Sequence, residues 1–224
     1  MDDLSITKKG NPLDKSQYII DLDKQLFATK QAYVSIDCNL NGWTFKTGGN
    51  CIFNTGHHCT FETGEHCTFK TGANCTFNTG GSCTFNTDWD CTFNTRDDCI
   101  FRTLGNCSFV TAGSCTFSAT NGCTFKTGDW CTFKAINNCT FETSDYCSFV
   151  TFNKNTFKTG NQCTFNTEIM NTFNTGLNCT FAVWDIDVHE WKVANKNSTI
   201  LDLSNGNRYV LTEEFIKMCK IKNE

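Results

Sequence analysis

From residue 43 to residue 186 the chain repeats every eight residues, Cys-Thr-Phe-x-Thr-Gly-x-x, eighteen times without insertion or deletion. The third position is Phe in every repeat, from Phe45 to Phe181. The first is Cys in fifteen, the exceptions being Trp43, Asn155 and Asn171, and the fifth is Thr in fifteen, the exceptions being Ala119, Ala135 and Val183. Self-similarity at so short a period specifies a solenoid, because one repeat cannot bury its apolar face until neighbours stack on it.

Positions 1, 3 and 5 share one face of an extended chain, and an eight-residue period matches no 3.6-residue stripe, so each repeat reads as a strand. Position 2 is Thr in fourteen repeats and otherwise Ile52, Ile100, Ser108 or Ser148, mostly side chains that fit a pleated surface. Gly stands at position 6 in eight repeats, and positions 7 and 8 are rich in Asn, Asp, Gly, His and Ser, residues that tolerate the left-handed conformations of tight turns. One strand cannot bury its own Phe, but two repeats back to back can. That gives a flattened coil of sixteen residues with a parallel ladder on each side, Phe facing Phe at the centre and Cys facing the position-5 Thr. Nine such coils about 4.8 Å apart would make a rod on the order of 40 Å long. Asn155 and Asn171 lie sixteen residues apart, as do Ala119 and Ala135, which favours this coil over a triangular one of 24 residues.

The expected class is therefore an all-β parallel solenoid with Phe, Cys and Thr ladders inside. Phe53, Phe61, Phe69, Phe77 and Phe85, with Cys59, Cys67 and Cys75, are the named core. Burying each Phe contributes about 1.5–3 kcal/mol. Cys at position 1 reads as a small buried filler with a weak S–H donor. Stacked β carbons at strand spacing are slightly too far apart for a disulfide, and no two cysteines lie closer than eight residues, which does not match zinc-ligand spacing. His57, His58 and His66 read as turn residues, with His58 and His66 on opposite edges, and His189 lacks the second His of a zinc protease. No metal or cofactor is expected.

The exposed ends of a solenoid need covers. Residues 1–42 read as an N-terminal cap whose apolar stretch from Leu13 to Phe27 supplies a short strand and helix, and Trp43 broadens the contact. Residues 187–224 read as a C-terminal cap or interaction module. It would comprise a strand from Val188 to Val193, a hairpin about Asn205-Gly206 and a helix that begins at Thr212.

Net charge is −4, with 8 basic and 11 acidic residues across the array, so neither nucleic acid nor a membrane surface is an expected partner. The same balance is too even for mimicry of duplex DNA. The first residues lack the apolar core of a secretory signal and no run of 18 apolar residues occurs, which places the chain in a reducing cytosol. There is no phosphate loop, nucleophile elbow or focus of paired carboxylates, so an enzyme is not expected. Ice binding would need two outward Thr ranks, whereas position 4 varies through charged residues. What is left is a rod that meets a protein partner, or a second copy of itself through the caps. Candidate partner-binding residues are Trp89, Asp90, Asp97 and Asp98, which with Asp88 and Arg96 form one local cluster, and the turn aromatics Trp130, Tyr146 and Phe152.

The run Cys59-Thr60-Phe61-Glu62-Thr63-Gly64 and its copies resemble the cysteine-containing octapeptide tracts of uncharacterised proteins from bacteriophages and giant DNA viruses. The resemblance covers residues 43 to 186 and carries no site residues. It implies a viral solenoid in the infected cell's cytoplasm or in the virion, with a structural or protein-binding role. The alternative is an intracellular inhibitor of a host defence or replication protein.

Overall fold

The computed structural model describes residues 4–168, 171–185, 190–195, 198–202 and 208–209. Each octapeptide forms one short strand centred on its Phe, such as Thr60–Glu62, Thr68–Lys70 and Thr76–Asn78. Strands pair in parallel with the strand two repeats away: Phe61 with Phe77, and Phe69 with Phe85. The coil is therefore sixteen residues, and the 24-residue alternative is excluded.

The chain forms two compact units, residues 1–115 and 116–224, dividing inside the octapeptide array. In the first, one sheet runs Asn11–Pro12, Ser5–Lys8, Val34–Asp37, Ile52–Asn54, Thr68–Lys70, Thr84–Asn86 and Ile100–Arg102. The other runs Ile19–Asp21, Leu26–Ala28, Thr44–Lys46, Thr60–Glu62, Thr76–Asn78, Thr92–Asn94 and Ser108–Val110. Parallel coiling begins ahead of the octapeptides, because Leu26–Ala28 pairs with Thr44–Lys46 and Val34–Asp37 with Ile52–Asn54. The expected N-terminal helix is not there. The segment holds strands and a single 3-10 turn, Lys15–Gln17, in which the Asp14 carboxylate accepts the N–H and hydroxyl of Ser16. An edge of paired strands satisfies the open ladder of the first coil, which a helix laid across it would not. Phe27 and Ile36 fill the Phe positions of these irregular coils and are fully buried.

In the second unit one sheet runs Thr116–Ser118, Thr132–Lys134, Ser148–Val150, Thr164–Glu168 and Thr180–Asp185, then turns antiparallel through Glu190–Asn195, Ser198–Asp202 and Arg208–Tyr209. The other sheet holds Thr124–Thr127, Thr140–Thr143, Thr156–Thr159 and Thr172–Thr175. The expected C-terminal strand is present as Glu190–Asn195, and Ile200 pairs with Tyr209 across the expected hairpin. Its Asn205-Gly206 turn and the helix from Thr212 lie outside the described residues.

Two columns of Phe make the core of each unit. Within a column the rings stack almost parallel, Phe61 on Phe77 at 4.9 Å and 4°, while across the columns they meet edge to face, Phe61 with Phe69 at 5.2 Å and 70°. Both are arrangements that the ring quadrupole favours, worth about 0.5–1.5 kcal/mol per pair beyond burial. Phe53, Phe61, Phe69, Phe77 and Phe85 and Cys59, Cys67 and Cys75 are all buried to 1% exposure or less.

The turns depart from the simple reading of positions 6 to 8. Among the described residues of the repeats only position 8 is left-handed, from Asn50, His58 and His66 through to Gln162 and Asn178. Gly at position 6 has an ordinary φ and is needed for closeness instead: a Cβ on Gly64 would sit 2.7 Å from the backbone nitrogen of Gly49 in the preceding coil.

Candidate functional site

Parallel coils satisfy most of their own backbone, and the groups they leave over explain the repeat's polar residues. Strand pairing and turn bonds such as Thr55 N–H to Lys70 O, Gly72 N–H to Gly56 O and His58 N–H to Ala73 O account for positions 2 to 6 and 8. Positions 1 and 7 depend on side chains.

At position 1 the partner is the thiol. The N–H groups of Cys51, Cys59 and Cys67 donate to the sulfurs of Cys67, Cys75 and Cys83, each at 3.4 Å. The thiol in turn donates to carbonyls of the turn: Cys67 Sγ lies 3.5 Å from Glu65 O and 3.8 Å from Gly48 O. The two Asn exceptions reproduce this pattern with stronger groups. Asn155 Oδ1 accepts from Cys139 N–H at 2.9 Å and Asn171 Oδ1 from Asn155 N–H at 2.8 Å. Their amide nitrogens donate to Ile136 O and Phe152 O, the carbonyls nineteen residues back that a thiol would reach. Position 1 is therefore a hydrogen-bonding site as well as a packing one. At position 5 Thr47, Thr63, Thr71 and Thr79 bond the next carbonyl, Thr47 to Gly48 O at 3.1 Å, whereas the buried hydroxyls of Thr55, Thr87, Thr111 and Thr151 meet no such carbonyl; Thr47 stands beside the thiol of Cys51 in the following repeat.

At position 7 an Asn, Asp or His side chain accepts the N–H of position 7 one coil on. Asn41 serves His57, and His57 Nδ1 serves Ala73. Asn121 serves Asn137, which serves Asn153, and Asp129, Asp145 and Asn161 form a third series that ends at Leu177. His57 is thus a rung of a ladder, a role its exposed turn position alone did not reveal.

The sixteen described cysteines are free and buried. A thiolate at Cys67 or Cys91 would accept S–H bonds from the rungs on both sides, which draws those two down; the donors Cys75 and Cys83 are pushed up by these neighbouring thiols and then by burial. Burial pushes Cys38 up. Adjacent rungs therefore cannot both ionise. Among the described residues no three of His, Cys, Asp and Glu are placed to hold a metal ion, and no helix is long and apolar enough to cross a membrane.

The candidate partner-binding residues are all exposed, but they do not form the expected cluster. Asp88, Trp89 and Asp90 follow a strand of one sheet, while Arg96, Asp97 and Asp98 follow a strand of the other, so they occupy opposite edges. The reason is geometric: eight residues are half a coil, and only a separation of sixteen returns to the same edge. Trp130 and Tyr146 meet that condition. Their rings stack at 4.3 Å and 1°, with Trp130 63% and Tyr146 39% exposed, and Gln162 Nε2 donates to the Tyr146 hydroxyl at 3.1 Å. Phe152 is on the other edge, where it lines an open groove of about 440 Å³ with Val150, Glu168 and Trp184. The signal for these associations is in the sequence, at a spacing of sixteen, but it becomes readable only once the coil length is known.

Outward ranks also differ from a uniform surface. One sheet carries Thr60, Thr76 and Thr92 beside Glu62, Asn78 and Asn94. Position-4 charges pair between coils, Lys46 with Glu62 at 2.8 Å and Lys158 with Glu142 at 2.9 Å. No family model, no curated protein and no solved structure matches the chain.

Proposed function

We propose that this chain is a non-enzymatic viral β-solenoid with a structural or protein-binding role, in the cytoplasm of the infected cell or in the virion. The observation that carries the proposal is the use to which the recurring polar groups are put. Thiols and the Asn, Asp and His side chains of position 7 are engaged in holding coil to coil, and Thr hydroxyls such as that of Thr47 bond within their own turn. What varies from repeat to repeat points outward, at position 4 and at the turns, where a partner would meet it. Exposed Trp89, Trp130 and Tyr146 suit protein contacts, since aromatic anchors dominate interface energetics. The single outward Thr rank beside Glu and Asn weighs against an ice-binding plane, and the Lys–Glu pairing of position 4 weighs against a phosphate-like rank of negative charge.

Quantitative mass spectrometry of purified particles tests the structural role. A constant copy number per particle is the expected result. Absence from particles, with abundant protein in the infected cytoplasm, would replace that role with the intracellular inhibitor.

A further inference from the structure

Position 8 is left-handed in every described repeat, and a side chain there carries a backbone penalty that Gly, Asn and Asp bear most easily. Asn50, Asn74, Asn106, Asn138 and Asn178 follow that preference, as do Asp90 and Asp98. Trp130 at φ 61° and Tyr146 at φ 58° do not, nor do His58, His66, Ser82, Ser114, Lys154 and Gln162, and the two aromatics are set apart by their stacking at an exposed turn. Tyr146 stacks on one face of Trp130, and an exposure of 63% leaves much of the indole open to solvent.

The same edge is acidic. Asp129 and Asp145 occupy position 7 beside these rings, one coil apart. Each commits Oδ1 to the ladder, Asp129 to Asp145 N–H at 2.9 Å and Asp145 to Asn161 N–H at 2.7 Å, and the second oxygen of each faces no donor among the described residues. The described ion pair of this unit, Lys158 with Glu142, is on a sheet face, and among the described residues no cation pairs with these carboxylates. An exposed indole on an edge that also carries two carboxylates matches a planar cation: a guanidinium stacks on an aromatic ring and forks its N–H groups onto carboxylate oxygens, which a compact ammonium does less well.

We infer that the Trp130–Tyr146 edge, with Asp129 and Asp145, is the docking surface for an arginine-bearing segment of a partner protein. The inference rests on the protein-binding reading above and gives that partner its chemistry.

Titration of the full-length protein with a nine-residue peptide of alternating Arg and Gly, followed by Trp fluorescence and calorimetry, tests it against Lys–Gly and Glu–Gly peptides of the same length. The wild type should bind the arginine peptide at least tenfold more tightly than the lysine peptide and should not bind the glutamate one. Trp130→Asn/Tyr146→Asn, which installs a residue suited to the left-handed turn, should keep or raise Tm and weaken the arginine peptide tenfold or more. Asp129→Asn/Asp145→Asn should weaken it similarly. Asp23→Asn/Asp37→Asn, an equal change in charge at exposed residues of the first unit, should leave it within twofold. Equal loss in both Asp pairs, or retention in the Trp/Tyr variant, overturns the site. A wild type that ignores the arginine peptide yet is found in particles at constant copy number overturns the site and leaves the structural role standing. Peptide binding without particle association overturns the structural role alone.

Discussion

At Asn171 a substitution that looks like a break in the repeat proves to be its clearest statement. The amide does with one oxygen and one nitrogen what the Cys thiol does with a single sulfur, accepting the N–H of Asn155 at 2.8 Å and donating to Phe152 O at 2.7 Å. Asn171→Ala should therefore cost about 1–3 kcal/mol in urea unfolding, the penalty for orphaned buried groups, while Asn171→Cys should cost less than about 1 kcal/mol. Equal losses would mean that position 1 serves packing alone. A thiol reagent should modify few of the 17 cysteines in the native protein and all of them in denaturant, because the ladder sulfurs are shut inside the coil. Ready native reaction of most thiols would contradict the ladder. The fifteen-fold recurrence of Cys made burial legible from sequence; its hydrogen-bonding role was not, because the N–H it accepts lies sixteen residues away and one of the carbonyls it meets nineteen.

The strand and the turn of one octapeptide are held to different standards. In the strand, alternation sets the inside and the outside: Phe117 stacks on Phe133 at 4.8 Å and is 1% exposed, whereas Lys126 faces water. Phe117→Ala should lower stability by about 3–5 kcal/mol as a core cavity, and Lys126→Ala by less than about 1 kcal/mol, the range of an exposed charge. Thermal and urea melts of the two variants check this, and equal effects would refute the facing. In the turn, clearance between coils sets the limits. Gly64→Ala would press a methyl group against the backbone of Gly49, so a loss of about 1–3 kcal/mol is expected by analogy with overpacked cores. A neutral result would show that the turns separate more easily than their close approach implies. Turn composition marked these residues as special, but placed the left-handed conformation too broadly over positions 6 to 8. The backbone confines it to position 8, since the other two positions stay in register with the neighbouring coil.

For the whole molecule, a coil that contacts mainly the coil above and the coil below makes stability close to a sum of repeated terms. Removal of residues 75–90, one full coil, brings Cys91 to the place of Cys75 and keeps both Phe columns unbroken. The shortened protein should fold cooperatively with a slightly smaller dependence on urea, in line with the surface it no longer buries. Failure to fold would overturn the interchangeability of coils. By itself the sequence determined the period, the strand, the inward set of Phe, Cys and Thr, and the all-β class, because period-two alternation and an eight-residue spacing are local properties that every repeat states again. It misread the N-terminal segment as partly helical and grouped Trp89 with Asp97 and Asp98, because neighbours in sequence are not neighbours on an edge. The sequence favoured sixteen residues per coil and the pairing of strands two repeats apart established it; only the tertiary structure decided which N–H groups the side chains must satisfy and that Trp130 meets Tyr146. Those are properties of pairing across coils: Phe must find Phe on the opposite sheet before a turn can have a neighbour.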